Sequence, residues 1–135
     1  MKMPIIKSSE NEVKKAITDY LILEGWHVYR INNGGVQRKN SKGREFYTFA
    51  GTPGVADLFC VKQNHGFMWI ETKATGKKPT KSQEEFIKLI NSVPRGIAFW
   101  CDSFDIFLSI YTNVKNGYGV PLKFLYKREI GEWID

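Results

Sequence analysis

Hydrophobic and polar residues alternate with two distinct periods along this chain, and those periods divide it into helices and strands. Between Ser9 and Glu24 the apolar residues Val13, Ala16, Ile17, Tyr20 and Leu21 recur at the i, i+3, i+4, i+7, i+8 spacing of an amphipathic helix. Ser9-Glu10-Asn11-Glu12 reads as a capping box at its start, and Gly25 stands where a helix C-terminus is expected. Trp26 to Ile31 switches to period two, a strand. Asn32 to Gly54 is dense in turn signals around one strand-like patch, Glu45 to Ala50. Two apolar runs follow, Val55–Val61 and Phe67–Ala74, joined by Lys62-Gln63-Asn64-His65-Gly66. They read as a hairpin whose strands are covered on both faces. A helix is predicted over Thr80–Asn91, a strand over Gly96–Cys101 and a helix over Ser103–Val114, with a strand-like patch at Leu122–Tyr126. This order predicts an α/β fold, a mixed β-sheet flanked by helices.

At 135 residues the chain has the size of a single domain, 1–135, large enough to bury roughly two thirds of its unfolded surface. With 42% hydrophobic and 25% charged residues it is ordinary globular material, and wholesale disorder is excluded. Charge changes the picture more. A net charge of +6 and a pI near 9.3 favour an anionic partner, nucleic acid first and an acidic membrane surface second. No basic amphipathic helix supports the membrane option. Cys60 and Cys101 sit in apolar surroundings and read as reduced core residues. No run approaches the ~20 apolar residues of a membrane span, and the N-terminus lacks the apolar stretch of a signal peptide. The expectation is an intracellular, cytoplasmic protein with no membrane attachment.

Absences narrow the chemistry. Two histidines and two distant cysteines do not build a zinc finger, and there is no phosphate loop, dinucleotide fingerprint or serine nucleophile elbow. Carboxylates and lysines remain. Glu71 and Lys73 are two apart on a strand and share one face of the sheet. If the preceding turn is centred on Asn64, Asp57 lies opposite Glu71 with side chains starting roughly 5 Å apart, close enough for one divalent cation to bridge. A two-residue turn at Asn64-His65 would put Asp57 on the other face, so the pairing requires an odd-length loop or a bulge. The plain structural alternative is an internal ion pair of Lys73 with Glu71 or Asp57. The same Glu-x-Lys pattern recurs at Glu12-Val13-Lys14 on a helix, so the strand setting and Asp57 are what distinguish the Glu71 copy.

Glu10 falls about 50° from the centre of the first helix's apolar stripe, against about 110° for Glu12, and therefore leans toward the core. Helix-dipole stabilisation is its structural explanation. Gln83 stands in two overlapping capping boxes, Thr80-Lys81-Ser82-Gln83 and Ser82-Gln83-Glu84-Glu85, either of which would explain a glutamine there.

Glu10, Gly54-Val55-Ala56-Asp57, Ile70-Glu71-Thr72-Lys73 and Thr80-Lys81-Ser82-Gln83 together resemble the PD-(D/E)xK nuclease superfamily. Within it the pattern looks most like the VRR-NUC branch, the small virus-type replication-repair nucleases. The helix ending Leu-Glu-Gly-Trp-His-Val-Tyr-Arg and the Gly-x-Pro-Gly before the aspartate are features of that branch. The resemblance covers about residues 9–105 and leaves a C-terminal extension, about 115–135, without an assigned role. Where the family often has proline before the aspartate, this chain has Ala56, a position without a catalytic group.

The resemblance implies a restriction-endonuclease-like core that hydrolyses phosphodiester bonds with Mg2+ or Mn2+. It makes Asp57 and Glu71 metal ligands, with the Thr72 carbonyl a third and Glu10 supporting the metal or its waters. Lys73 would orient and activate the attacking water, and Gln83 would place Lys73 or the phosphate. Small stand-alone relatives of this branch are homodimers that cleave four-way junctions, so the resemblance implies a Holliday-junction-resolving homodimer acting on branched DNA. A nicking nuclease, or a nuclease subunit of a replication, repair or packaging complex, is the alternative within the class. A catalytically idle nucleic-acid-binding module is the alternative outside it.

Arg30, Arg38, Lys39, Lys42 and Arg44 form one acid-free basic stretch, and Lys73, Lys77, Lys78 and Lys81 a second. Both flank the triad in sequence and both contain glycines, which suits backbone approach to phosphates. Without the triad they would read as solvated loops. Phe46, Tyr47 and Phe49 beside the first stretch suit either stacking on unpaired bases or a small apolar cluster.

Overall fold

The computed structural model describes residues 7–31, 36–39, 41–48, 52–120 and 124. Its helices are α1 (Glu10–Leu23), α2 (Lys81–Ser92) and α3 (Phe104–Lys115). Its strands are β1 (His27–Arg30), β2 (Val36–Lys39), β3 (Glu45–Thr48), β4 (Leu58–Lys62), β5 (Gly66–Thr72) and β6 (Ala98–Cys101). A four-stranded mixed sheet runs in the order β1-β4-β5-β6, antiparallel except for the parallel pair β5-β6, which α2 connects. The protein is thus α/β, with three helices around a mixed sheet.

Local chemistry sets the helix ends. Ser9 accepts from the Glu12 amide at 3.1 Å while Glu12 accepts from the Ser9 amide at 3.1 Å, the reciprocal capping box the sequence predicts. At the other end the Trp26 amide donates to the Leu21 carbonyl and the Gly25 amide to that of Ile22, a Schellman closure around Gly25 at φ +96°. Thr80 rather than Ser82 caps α2, so the first of the two overlapping boxes is the one formed. Ser103 caps α3 through the Ile106 amide.

The hairpin β4-β5 decides which side chains share a face. Lys62 pairs with Gly66 across a loop of Gln63, Asn64 and His65. The His65 amide closes it on the Lys62 carbonyl at 3.0 Å, and Asn64 and Gly66 take left-handed φ of 68° and 86°. The odd loop length required for the Asp57–Glu71 pairing is therefore present, and Leu58 lies opposite Ile70. Leu58, Cys60, Met68, Ile70 and Phe99 pack on one face against Val13, Ile17 and Leu21 of α1 and Phe107 and Ile110 of α3. Trp26 spans these layers: its indole N–H donates to the Tyr111 hydroxyl at 2.9 Å, which donates on to Glu24 at 3.3 Å.

The second face differs from expectation. It carries Phe59, Trp69 and Glu71, and α2 covers only its β5-β6 end, with Phe86 edge-on to Trp69 at 5.2 Å. Phe59 and Trp69 stay half-buried and pack on each other with ring centres 4.6 Å apart and planes tilted by 43°, and Tyr29 at the sheet edge is 54% exposed. The apolar runs looked fully buried because aromatic residues tolerate partial exposure where they cover one another.

The turn-rich segment also holds more than one strand: β2 and β3 pair as an antiparallel ribbon, with Lys39 opposite Glu45. Cys60 and Cys101 are buried and unpaired, and burial pushes the Cys60 thiol up to about 12, as expected of inert core thiols. Phe124 lies in a 3₁₀ turn, buried against Trp100. The rest of the strand-like patch at Leu122–Tyr126 falls outside the described residues, as does Phe49.

One glycine fixes the approach of the chain to β4. Gly54 sits at φ +88° against the first turn of α2, where an added Cβ would run into the Ser82 carbonyl and lie 2.9 Å from the Gln83 amide. Replacing it with alanine should destabilise the protein by more than about 1 kcal/mol, through both left-handed strain and the clash. Urea denaturation of Gly54→Ala would measure this. A loss within error of zero would show that the loop relaxes away from α2.

Candidate metal centre

The Asp57, Glu71 and Lys73 side chains meet where β4 begins and β5 ends. Asp57 precedes β4 rather than lying inside it, and its backbone carbonyl still accepts from the Ile31 amide at 2.7 Å, which extends the β1-β4 ladder by one step. Its Oδ2 accepts from both the Thr72 amide at 3.0 Å and the Thr72 hydroxyl at 2.9 Å. Thr72, expected to offer its carbonyl to a metal, thus has a second role. Fully buried at the end of β5, it pins one oxygen of Asp57 and leaves Oδ1 unconstrained by these bonds.

Glu71 is 1% exposed. Gln83 donates from Nε2 to Glu71 Oε1 at 2.9 Å while its own Oε1 accepts from the Thr80 amide at 2.8 Å. Gln83 therefore both completes the capping box and partners the acid; its contact is with Glu71, where the resemblance implied Lys73 or the phosphate. Lys73 Nζ lies 3.7 Å from Glu71 Oε1, its side chain 13% exposed. Glu71 Oε2 is buried without a hydrogen-bond partner.

Glu10 joins them. One carboxylate oxygen from each of Glu10, Asp57 and Glu71 lies within 4.8 Å of the others. The first turn of α1 is held there by the strap after β5. The Thr75 amide donates to the Ser8 carbonyl at 3.0 Å and the Ser8 amide to Thr75 Oγ1 at 2.9 Å. Thr75 Oγ1 and the Gly76 amide reach Asp102 beyond β6. The N-terminus of α1, the end of β5 and the end of β6 are thereby fastened together around the acids.

Burial, with the Asp57 carboxylate beside it, pushes the Glu71 carboxyl up to about 8, against the opposing pull of Lys73. Two facing carboxylates, one of them buried with an orphaned oxygen, require either a proton or a cation between them. Hard oxygen donors of this kind suit Mg2+ or Mn2+. The residues present fit such an ion, with Asp57, Glu71 and Glu10 each offering one carboxylate oxygen to it.

Lys14 escaped the sequence reading. Its Nζ stands 3.9 Å from Asp57 Oδ1 and its side chain is only 17% exposed. The i, i+4 spacing from Glu10 was the available signal, since that places the two on one helical stripe.

The proposed nucleic-acid contacts are less concentrated. Arg30, Lys39, Lys42, Arg44, Lys77, Lys78 and Lys81 are all exposed, and Arg38 lies in β2 opposite Phe46. Arg30 ends β1 next to the residue paired with Asp57. Lys77 and Lys78 lie in the strap that follows Lys73, with the Lys78 ammonium 5.1 Å from the centre of the Trp100 ring. Lys81 opens α2 two residues before Gln83. Among the described residues no helix is long and apolar enough to cross a membrane.

The raised Glu71 carboxyl predicts a pH dependence. Unfolded, this group ionises near its ordinary 4.5, whereas folded and metal-free it keeps its proton to about 8. Its contribution to stability is complete below the unfolded value and is lost as pH rises through the folded one. In EDTA the wild-type melting temperature, measured relative to Glu71→Gln, should fall between about pH 5 and pH 9. Parallel profiles for the two proteins would show that Glu71 does not hold a proton.

In comparisons with known proteins no family model matches the chain and no curated protein does, so the geometry of this cluster carries the functional reading.

Proposed function

We propose that this protein is a metal-dependent endonuclease of the PD-(D/E)xK type, with a restriction-endonuclease-like core. It hydrolyses phosphodiester bonds in branched or structured DNA with Mg2+ or Mn2+. The observation that carries the reading is the cluster of Glu10, Asp57 and buried Glu71 carboxylates, one oxygen of each within 4.8 Å of the others, with Lys73 beside it. The internal ion pair of Lys73 with Glu71 is formed at 3.7 Å, but together with that of Lys14 it sets two lysines against three clustered carboxylates.

Asp57, Glu71 and Glu10 would hold the ion, with the Thr72 carbonyl as a further ligand. When bound, such an ion neutralises phosphodiester charge and lowers the pKa of a water in its shell. The chain's own residues supply the rest. Thr72 fixes the Asp57 carboxylate through two hydrogen bonds, and Gln83 fixes that of Glu71 while anchored as an α2 cap. Neither acid needs to reorganise when substrate arrives, which is the condition for electrostatic catalysis. Lys73 orients the attacking water and places a positive charge beside the negative charge that develops on the phosphate. The exposed Arg and Lys residues on either side of the acids supply backbone contacts that position DNA without reading its sequence. A homodimer is the form that suits paired cuts on a two-fold junction, since it provides two symmetry-related sites.

A cleavage assay tests this. Wild type, Glu71→Ala and Lys73→Ala would be incubated with a labelled four-way junction, a linear duplex and a single strand, in Mg2+, Mn2+ or EDTA. Wild type should cut in either metal, and each variant should lose about 100-fold or more while keeping most DNA binding. The preferred substrate separates junction resolution from nicking. Cutting by Glu71→Ala at the wild-type rate would overturn the assignment. Metal-independent binding with no cutting by wild type would point to the idle module instead.

A further inference from the structure

We infer that Lys14 is a second phosphate-binding cation of the site, meeting the substrate from the α1 side while Lys73 meets it from the end of β5. The inference rests on the nuclease reading and adds to it a residue outside the quoted motif.

Three observations lead to it. The first is placement. Lys14 follows buried Val13 and lies one turn beyond Glu10, so α1 holds its stem against the protein; neighbouring Lys15 is 72% exposed by comparison. The second is distance. Lys15 closes on Asp19 at 2.7 Å, an ordinary surface ion pair, whereas Lys14 stops 3.9 Å from Asp57 Oδ1. The Lys73–Glu71 separation of 3.7 Å matches it on the other acid. Each acid thus has one oxygen held by a hydrogen bond and a lysine standing off at longer range, which leaves ammonium donors for a further anion. The third is charge. With all groups ionised, Glu10, Asp57 and Glu71 against Lys14 and Lys73 leave a single net negative charge. A divalent ion turns this into a single net positive charge, which attracts one phosphodiester. Without Lys14 the ion-loaded centre would be neutral before the substrate arrived.

A lysine that merely neutralises Asp57 makes a different prediction from one that binds phosphate, and the two separate once the metal is saturating. Mn2+ binding to wild type, K14M, K14Q and K14R would be measured by calorimetry with the metal alone. Cleavage of the best wild-type substrate would be followed at saturating Mn2+. Removing a nearby positive charge should tighten Mn2+ binding by about threefold or more in K14M and K14Q. The same variants should cut at least about tenfold more slowly, with K14R recovering part of the rate. A purely structural lysine would instead lower the melting temperature and metal affinity together. K14Q keeps a long polar stem and carries the test should K14M melt early. Wild-type rates in K14M or K14Q at saturating Mn2+ would overturn the role of Lys14 and leave the nuclease reading standing. Absence of Mn2+-dependent cutting by wild type would overturn that reading and this inference with it.

Discussion

The structure is organised around a carboxylate that burial makes expensive. Glu71 sits at the end of β5 with 1% of its surface exposed, faces a second acid, and has one oxygen without a partner. A group in that position raises the free energy of the folded chain unless its charge is compensated. The neighbouring chemistry is arranged to keep it there. Gln83 donates to it from a helix cap, Lys73 stands beside it, and Thr72 withdraws one oxygen of Asp57 from the conflict. Such strain at one point, tolerated by the rest of the fold, is characteristic of sites built to bind or react.

What holds those partners is ordinary folding chemistry used twice. Gln83 completes the capping box of α2 with one amide atom and reaches Glu71 with the other, so helix initiation and placement of the acid depend on one side chain. Gly54 lets the loop before Asp57 close on the same helix turn. Thr75 ties Ser8 to Asp102 and so brings Glu10, at the start of α1, to the end of the sheet. Gln83 and Thr75 act by hydrogen-bonding to backbone and Gly54 by its backbone conformation, and supporting contacts of this kind hold charged side chains in position.

Much of this was legible because it is local. The capping boxes, the Gly25 stop and the odd loop centred on Asn64 each involve a few neighbouring residues, and the loop alone fixes Asp57 against Glu71. The order of elements was readable from periodicity. What escaped is long-range or ambiguous in pattern. The first strand of the β2-β3 ribbon, Val36–Lys39, lies among turn residues and its alternation is too short to register. The half-open sheet face was hidden because an aromatic run looks the same whether covered by a helix or by other aromatics. Lys14 was masked by Glu12, with which it makes the same Glu-x-Lys spacing as Glu71 and Lys73. Only the packing of α1 on the sheet reveals that its partner is Asp57, far away in the chain.

Two Glu-x-Lys copies with different fates show what the spacing alone conveys. On α1 the pair diverges: Glu12 turns back to cap Ser9 while Lys14 leaves on the stripe of Glu10 and reaches the acids. On β5 alternation sends Glu71 and Lys73 to the same side, and both reach the site. The lysines converge on one cluster from different elements because the helix and the strand are fastened at their ends by the strap around Thr75. The local pattern says which residue types are near each other in sequence. The period of the element says which of them act together, and the tertiary fastening decides what they act on.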